Sequence, residues 1–579
     1  MSKLLLTLLL VAAGVSHAGL PLPRVSGEPA WAQPKSAAVS LRAPGAATDN
    51  TAEVRFGFMD NARIDAVREL NSQQSFKALQ IGINRDVRDE LPGMSYPQLV
   101  WSSVPGGGKV ARLVVSSPGA KALRVGLNVR ALPAGAELRF AGSTNLQNVT
   151  GTITADELRK LRRDNPVYWT ALTEGEQQVI EIFLPEGAST SAVKIEVDSA
   201  SHILGSPSDG FKDVTLAKAS GSCNRNTICE TQTPAFVNAK NSVAKMIFTA
   251  AGSNGVLGSY LCTGTLLNDN DASSQIPYFY SANHCISTQT EASTLNTIWF
   301  YEGASCGATS PSGSTVTLSR GATLLFHEEQ RDALLLRLND NAPSGAYFSG
   351  WDPNTLTAGT AVTSIHHPQG DIKKVTLGTM VGFTNLSDFN GQPYSTMAWT
   401  LGTTEGGSSG SGVFSFDGTQ YYLRGGLYGG SAACSNSGDV NNTNNRDFYS
   451  RFDQVYSSLR KYIDVDYTGV WGAPGEDGLG LSILRGTSGG LGVIWYQYTP
   501  QRQPTWFLLG GNWAGPATYV GTWLSYSATG YDVSFAASSV TSTAVGTATF
   551  NFTSPTTATM NYTLPGGVSG TKNLVKMDF

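Results

Sequence analysis

Outside residues 223–434 this 579-residue chain has no cysteine; all six lie inside that window. Disulfide staples, if formed, are therefore confined to a central region. No C-x-x-C pair occurs, which removes the commonest spacing of a structural zinc site. No apolar run approaches the roughly 20 residues that a bilayer-spanning helix needs. Charge is sparse and balanced, with 40 Lys and Arg against 44 Asp and Glu, and no block of one sign. A nucleic-acid binder would carry a basic stripe, so that partner is excluded. What is abundant is glycine, 64 residues, beside a hydrophobic content of 41%. That balance describes a turn-rich, core-forming and mostly β chain. At about 150 residues per domain, its length predicts three or four domains.

The first residues read as an export signal, residues 1–18. Lys3 gives a positive start, Leu4 to Ala13 an apolar stretch, and Ser16-His17-Ala18 a small-x-small cleavage site. The expected destination is outside the cell, where disulfides are permitted. Residues 19 to about 55, rich in Ala, Pro and Ser, are expected to be an extended tether. Short, partly alternating segments between Pro-Gly turns follow: Ala111 to Ser116, Ala122 to Arg130, Glu137 to Ala141 and Gln178 to Leu184. These predict strands and a sandwich-like domain, interrupted by one helix over Ala155 to Arg163 capped by Thr154. Residues 205–222 read as an exposed linker open to cleavage. Many short strands then run to about Val465. Beyond Asp466, five of the eleven tryptophans fall in a stretch poor in charge, Trp471, Trp495, Trp506, Trp513 and Trp523. This predicts a separate β module whose tryptophans fill its core or, in the second reading, stack on a surface or polymer.

Chemistry concentrates in the central region. His284 ends the apolar run Tyr278-Phe279-Tyr280-Ser281 and precedes Cys285, which makes it the best base candidate ahead of His327, His366 and His367. Ser409 lies in Gly406-Gly407-Ser408-Ser409-Gly410-Ser411-Gly412, between the strand-like segments Met397 to Leu401 and Val413 to Phe416. Glycines let a chain adopt the dihedrals that aim backbone N–H groups at a developing oxyanion, and Gly407 and Ser409 would supply those donors. Asp332 stands at the start of the buried run Ala333 to Leu338, where a carboxylate can fix an imidazole tautomer. The string Asn268 to Ser273 lacks the glycine and distal glutamate of a calcium loop and reads as a turn. Adjacent His366 and His367 point apart on an extended chain. The expectation is therefore no metal and no cofactor.

In the chain order His284, Asp332, Ser409, these motifs resemble those of trypsin-like serine endopeptidases, and more closely those of the secreted bacterial lysyl endopeptidases. Ser220-Gly221-Ser222-Cys223, Ile365 to Asp371, and Gly429-Gly430 before Cys434 add to the resemblance. It covers residues 219–465 and implies an all-β fold of two antiparallel β-barrels with the three residues in the cleft between them. It also implies disulfides Cys223 with Cys434, Cys229 with Cys306, and Cys262 with Cys285. Protein and peptide substrates would be cut on the carboxyl side of lysine. Thr403 occupies the position where trypsins for basic residues carry a pocket acid, whereas Asp447 matches the aspartate of lysyl endopeptidases; Tyr428 stands where histidine is expected and Gly412 where proline is common. Cleavage after Lys218 would make residues 19–218 a propeptide and leave 466–579 as an appended C-terminal module that is a candidate for binding a surface or polymer. Two alternatives stay open: the same mechanism with an arginine or glutamate preference, or an inactive protease-fold adhesin.

Overall fold

The computed structural model describes residues 22, 24–33, 39–42, 51–73, 78–94, 96–161, 165–209, 211, 220–252, 255–271, 273–486, 489–515, 517–530 and 532–578. The export signal expected over 1–18, the proposed processing residue Lys218 and the terminal Phe579 lie outside them.

The N-terminal region is a two-layer β-sandwich. One sheet joins Ala52–Arg55, Lys109–Ser116, Gln177–Leu184, Glu137–Gly142 and Asn145–Thr154. The other contains Ala122–Ala131, Lys194–Ile203 and Leu79–Asp86. Alternate residues of the two inner faces, such as Val115, Phe140 and Ile182 against Val125, Leu127 and Val197, meet in one core. The helix after Thr154 spans Ala155–Leu161, and Thr154 and Glu157 cap it reciprocally. A second long helix here, Asn61–Gln73, corrects the expectation of a single one. The expected tether is also corrected in part, because Glu28–Pro29 pairs with Tyr347–Phe348 of the central region and Ala52–Arg55 joins the sandwich.

The central region has the expected all-β architecture. In the first half, strands follow the order Val316–Leu318, Asn296–Trp299, Val243–Ala251, Leu257–Leu267, Tyr278–Ser281, Ala333–Leu338 and Ala322–Glu328. In the second, Lys374–Leu386, Ala361–His366, Gly412–Phe416, Tyr421–Gly430, Asp447–Tyr449 and Gln392–Leu401 pair in turn, and the last returns to the first to close a six-stranded barrel. Each half has its own core, one around Phe279 and Trp299 and the other around Met397 and Trp399. The Phe452–Ile463 helix packs Phe452, Val455, Tyr456, Leu459 and Ile463 where the halves meet. Those residues recur at helical spacing, and this helix corrects the expectation of short strands as far as Val465. The cysteines form the bonds Cys223–Cys434, Cys229–Cys306 and Cys262–Cys285.

Residues 469–576 form a closed barrel of eight sequentially paired antiparallel strands. Trp471, Trp495 and Trp523 fill its interior, whereas Trp506 is 43% exposed. Among the described residues no helix is long and apolar enough to cross a membrane.

Candidate active site

His284 sits in the turn after the Tyr278–Ser281 strand, and its neighbour Cys285 is tied to Cys262 on the adjoining strand. The turn therefore cannot swing away from the sheet. Asp332 takes the left-handed conformation, φ 46°, just before the Ala333–Leu338 strand. Aspartate tolerates that region better than branched residues, and here it turns the carboxylate back toward His284. One Asp332 oxygen accepts from the His284 backbone N–H at 2.8 Å; the other lies 2.8 Å from His284 Nδ1. Two anchors on one carboxylate fix both the position and the rotation of the ring. On its far side His284 Nε2 is 2.7 Å from Ser409 Oγ. The structure thus brings His284, Asp332 and Ser409 together from three separate segments.

The serine loop is shaped by its glycines. Gly407 has φ 89°, and a β-carbon there would lie 2.8 Å from the His367 carbonyl oxygen. The Ser408 amide closes the turn by donating to the Glu405 carbonyl at 2.9 Å. The Ser409 carbonyl in turn accepts from the Thr263 amide at 2.8 Å. Among the described residues no protein acceptor takes the Gly407 or Ser409 amide. Ser408 points the other way, with its hydroxyl 2.8 Å from His366 Nδ1, while His366 Nε2 reaches Thr376 Oγ1 at 2.8 Å. His366 therefore braces the back of the loop. His367 is buried, with Nδ1 3.1 Å from the Asp371 carbonyl, and its pKa is held well below the usual value by burial and by the charges of Lys245 and Lys373. His327 is exposed, with Nδ1 3.0 Å from the Asn283 side-chain oxygen.

Asp447 is fully buried on a strand directly opposite Gly430. Its Oδ2 accepts from Trp399 Nε1 at 2.7 Å and from the Thr404 hydroxyl at 2.6 Å. Thr404 is in the segment leading to Ser409, so the carboxylate is joined to the serine loop through one hydroxyl. Thr403 is also buried, and among the described residues its Oγ1 has no hydrogen-bond partner. Tyr428 stacks edge-on against His284, ring centroids 5.8 Å apart, and is backed by Phe389 and Tyr394. Sequence reading missed Trp399, Thr404, Phe389 and Tyr394. Only Thr404, beside the Gly/Ser motif, carried a local signal; Tyr394 and Trp399 reach the site on the Gln392–Leu401 strand, and Phe389 from the short 3-10 turn that precedes it.

The paired barrels and the cleft constellation define a serine endopeptidase of trypsin-like fold. Residues 217–450 match the lysyl endopeptidase C-terminal domain and residues 55–204 the lysyl endopeptidase N-terminal domain. The chain is 35% identical over 398 residues to a lysyl endopeptidase of Pseudomonas aeruginosa, covering 66% of this chain and 81% of that protein. It belongs to the lysyl endopeptidase family. A secreted RxLR effector protein of Plasmopara viticola is 27% identical over 269 residues, spanning 44% of this chain and 62% of that one. Among solved structures, an active-form protease of M. tuberculosis is 16% identical, with TM-score 0.26 over 40% of this chain and 88% of its own. An HtrA-type protease with a tripeptide is 15% identical, with TM-score 0.27 over 44% and 74%.

Proposed function

We propose that this chain is an exported serine endopeptidase that cuts on the carboxyl side of lysine through His284, Asp332 and Ser409. The observation that carries the proposal is the line of two short contacts, Asp332 to His284 Nδ1 and His284 Nε2 to Ser409 Oγ. His284 removes the Ser409 proton as the oxygen attacks the peptide carbonyl, and the Gly407 and Ser409 amides hold the oxyanion. The imidazolium protonates the leaving amine, and water activated by the same ring then releases the acyl group. Asp332 remains ionised and keeps the ring in the tautomer that presents Nε2 as base. Asp447 supplies the negative charge for a lysine ammonium, a compact point charge that one carboxylate on a pocket wall can match. Thr404 and Trp399 hold that carboxylate in place.

In this reading residues 1–18 direct export, 19–218 are a propeptide, 219–465 the protease and 466–579 an appended module. Cleavage after Lys218 is a self-processing step. The Gly221 amide donates to both Glu405 oxygens at 3.1 Å, and Ser220 Oγ donates to Asp371 Oδ2 at 2.6 Å. Those contacts would seat the new terminus beside the serine loop. The test is mass spectrometry of an unbiased peptide mixture after incubation with the processed protein, beside a Ser409→Ala control. Cuts only after lysine and only with Ser409 are the expected result. Cuts after arginine or glutamate would reject Asp447 as the pocket acid, and no serine-dependent cleavage would reject the enzyme reading in favour of a binding protein.

A further inference from the structure

Three strands of the protease carry the catalytic residues at one end. His284 follows the Tyr278–Ser281 strand, while Asp332 and Ser409 precede the Ala333–Leu338 and Gly412–Phe416 strands. The opposite ends of the same strands lead to the 268–275 loop, to residues 346–354 between the two barrels, and to the 416–421 turn. A short stretch from the far N-terminal end of the chain, residues 24–31, lies across all three.

Its contacts fall on both barrels and on the connection between them. On the connection, Val25 exchanges both backbone hydrogen bonds with Trp351, at 3.1 and 3.0 Å, Glu28–Pro29 pairs with Tyr347–Phe348, and the Ala30 amide donates to the Ala346 carbonyl at 2.9 Å. On the first barrel, Asn268 Nδ2 donates to the Ser26 carbonyl at 2.8 Å. Gln275 there donates to the Pro29 carbonyl at 2.9 Å and accepts from the Trp31 amide at 2.7 Å. On the second barrel, Gln420 accepts from the Gly27 amide at 3.2 Å and donates to Ser26 Oγ at 2.9 Å. Arg24 sits over the Tyr422 ring, 5.3 Å from its centroid, between Asp352 and Asp417. Val25 is buried in the core that joins the two barrels.

Most of these bonds go to main chain, so the surface recognises an extended peptide by its backbone. Two glycines allow the approach. A β-carbon on Gly27 would lie 2.6 Å from the Phe348 carbonyl oxygen, and one on Gly350 would lie 2.5 Å from the Val25 carbonyl oxygen. Among the described residues no hydrogen bond, ion pair or strand pairing joins residues 24–31 to the sandwich. Leu41 and Arg42, by contrast, belong to the sandwich: Leu41 packs with Ala141 and Val179, and the Arg42 amide donates to Glu181 at 2.6 Å.

We infer that residues 24–31 are a working part of the protease: a strap that clamps the two barrels together on the side remote from the triad, and that stays bound as a separate peptide once it is cut from the chain that follows it. The partner this surface fits is thus an extended segment of the same polypeptide, and the catalytic unit is the barrels plus the strap. His284 and Asp332 come from the first barrel and Ser409 from the second, so a clamp between barrels also steadies the 2.7 Å contact of His284 Nε2 with Ser409 Oγ. This goes beyond the reading above, in which residues 19–218 are a propeptide, and it does not depend on the lysine preference.

The test uses the full chain with Ser409→Ala, which prevents self-cleavage, and with the recognition sequence of an unrelated protease inserted after Gln33. A cut there frees the strap covalently and leaves everything else joined. Gel filtration and native mass spectrometry at micromolar concentration should then find one strap peptide retained per protein. Gly27→Val should weaken retention about tenfold or more, because its β-carbon overpacks against backbone. Arg24→Ala should weaken it less than about threefold, since that side chain is 47% exposed and its ion pairs are 3.7 and 3.6 Å long. A strap peptide that leaves on cutting overturns the inference, and so does a Gly27→Val peptide held as firmly as its parent. If the Gly27→Val chain fails to fold, retention in the cut parent alone decides. Neither measurement uses peptidase activity, so failure here and failure of the serine-dependent cleavage proposed above are separate results.

Discussion

The protease barrels and the C-terminal barrel are built from the same kind of short antiparallel strand, yet their interiors differ. Between residues 220 and 465 the structure buries Lys245, His366, His367, Asp332, Ser409 and Asp447 among many other polar side chains. Among the described residues from 466 to 578 no serine, threonine, amide, histidine or charged residue is buried as a whole, and only single polar atoms such as Gln497 Nε2 and Thr529 Oγ1 are. Burying a polar group costs free energy unless every partner is supplied. The C-terminal barrel limits that cost with an aromatic core, although among the described residues Trp523 Nε1 and Gln497 Nε2 are buried there without a hydrogen-bond partner. The protease barrels meet it with hydrogen-bonded chains such as Asp332–His284–Ser409 and Thr376–His366–Ser408. Chemistry is therefore located where polar burial is tolerated, and simple packing where it is not.

The largest effect that would sharpen this contrast is at Ser409. Ser409→Ala should lower kcat/KM for peptide cleavage on the order of 10^6-fold while leaving the unfolding transition unchanged, read by peptide kinetics and calorimetry. The opposite pattern is expected in the dry barrel. Trp523→Ala should cost that barrel about 3–5 kcal/mol, visible as an earlier unfolding step by tryptophan fluorescence, with kcat/KM within about twofold of the parent. A loss of peptidase activity there would break the comparison by coupling the two regions.

Asp447→Asn keeps an oxygen for Trp399 and Thr404 but removes the charge. It should cost about 2–5 kcal/mol in kcat/KM for lysyl bonds, and far less for substrates with an uncharged side chain before the cut, measured with matched peptides. A uniform loss across both would show a structural role instead. The smallest effect concerns the N-terminal sandwich. His202 is buried beside Ser117, and burial, with Arg85 and Arg63 nearby, pushes its pKa down to about 4. The unfolded chain takes up that proton near pH 6.5, so the stability from burying neutral His202 is present above pH 6.5 and is lost as pH falls toward 4. The loss is at most about 3 kcal/mol. Thermal unfolding at pH 7, 5.5 and 4 should show it, with a shallower dependence in His202→Gln.

Much of the site could be read from local sequence. Tyr278 to Cys285 set a histidine after an apolar strand, Asp332 preceded a buried run, and a glycine-rich turn between two strands marked Ser409. In each case the signal was a short segment whose backbone requirement is local, such as φ 89° at Gly407. Trp399, Tyr394 and Phe389 carried no such mark, because nothing near them in sequence distinguishes a ring facing the site from one in the core. The strands of the C-terminal barrel were legible as strands but not as a closed ring, since closure requires Trp471 of the first strand to pair with Lys576 of the last.

By itself the sequence determined the β class, the confinement of cysteines to the protease region, and the residue types able to transfer a proton and attack a carbonyl. Alternation, turn residues and motif spacing are local properties, and they survive without a fold. Only the tertiary structure decided that Asp332 and Ser409 reach opposite nitrogens of His284, that Thr404 and Trp399 both hold Asp447, and that the Leu79–Asp86 strand pairs with the Leu257–Leu267 strand. Those outcomes depend on strand register between segments as many as 182 residues apart, from Leu79 to Leu261, and register is fixed only when whole sheets bury their faces together.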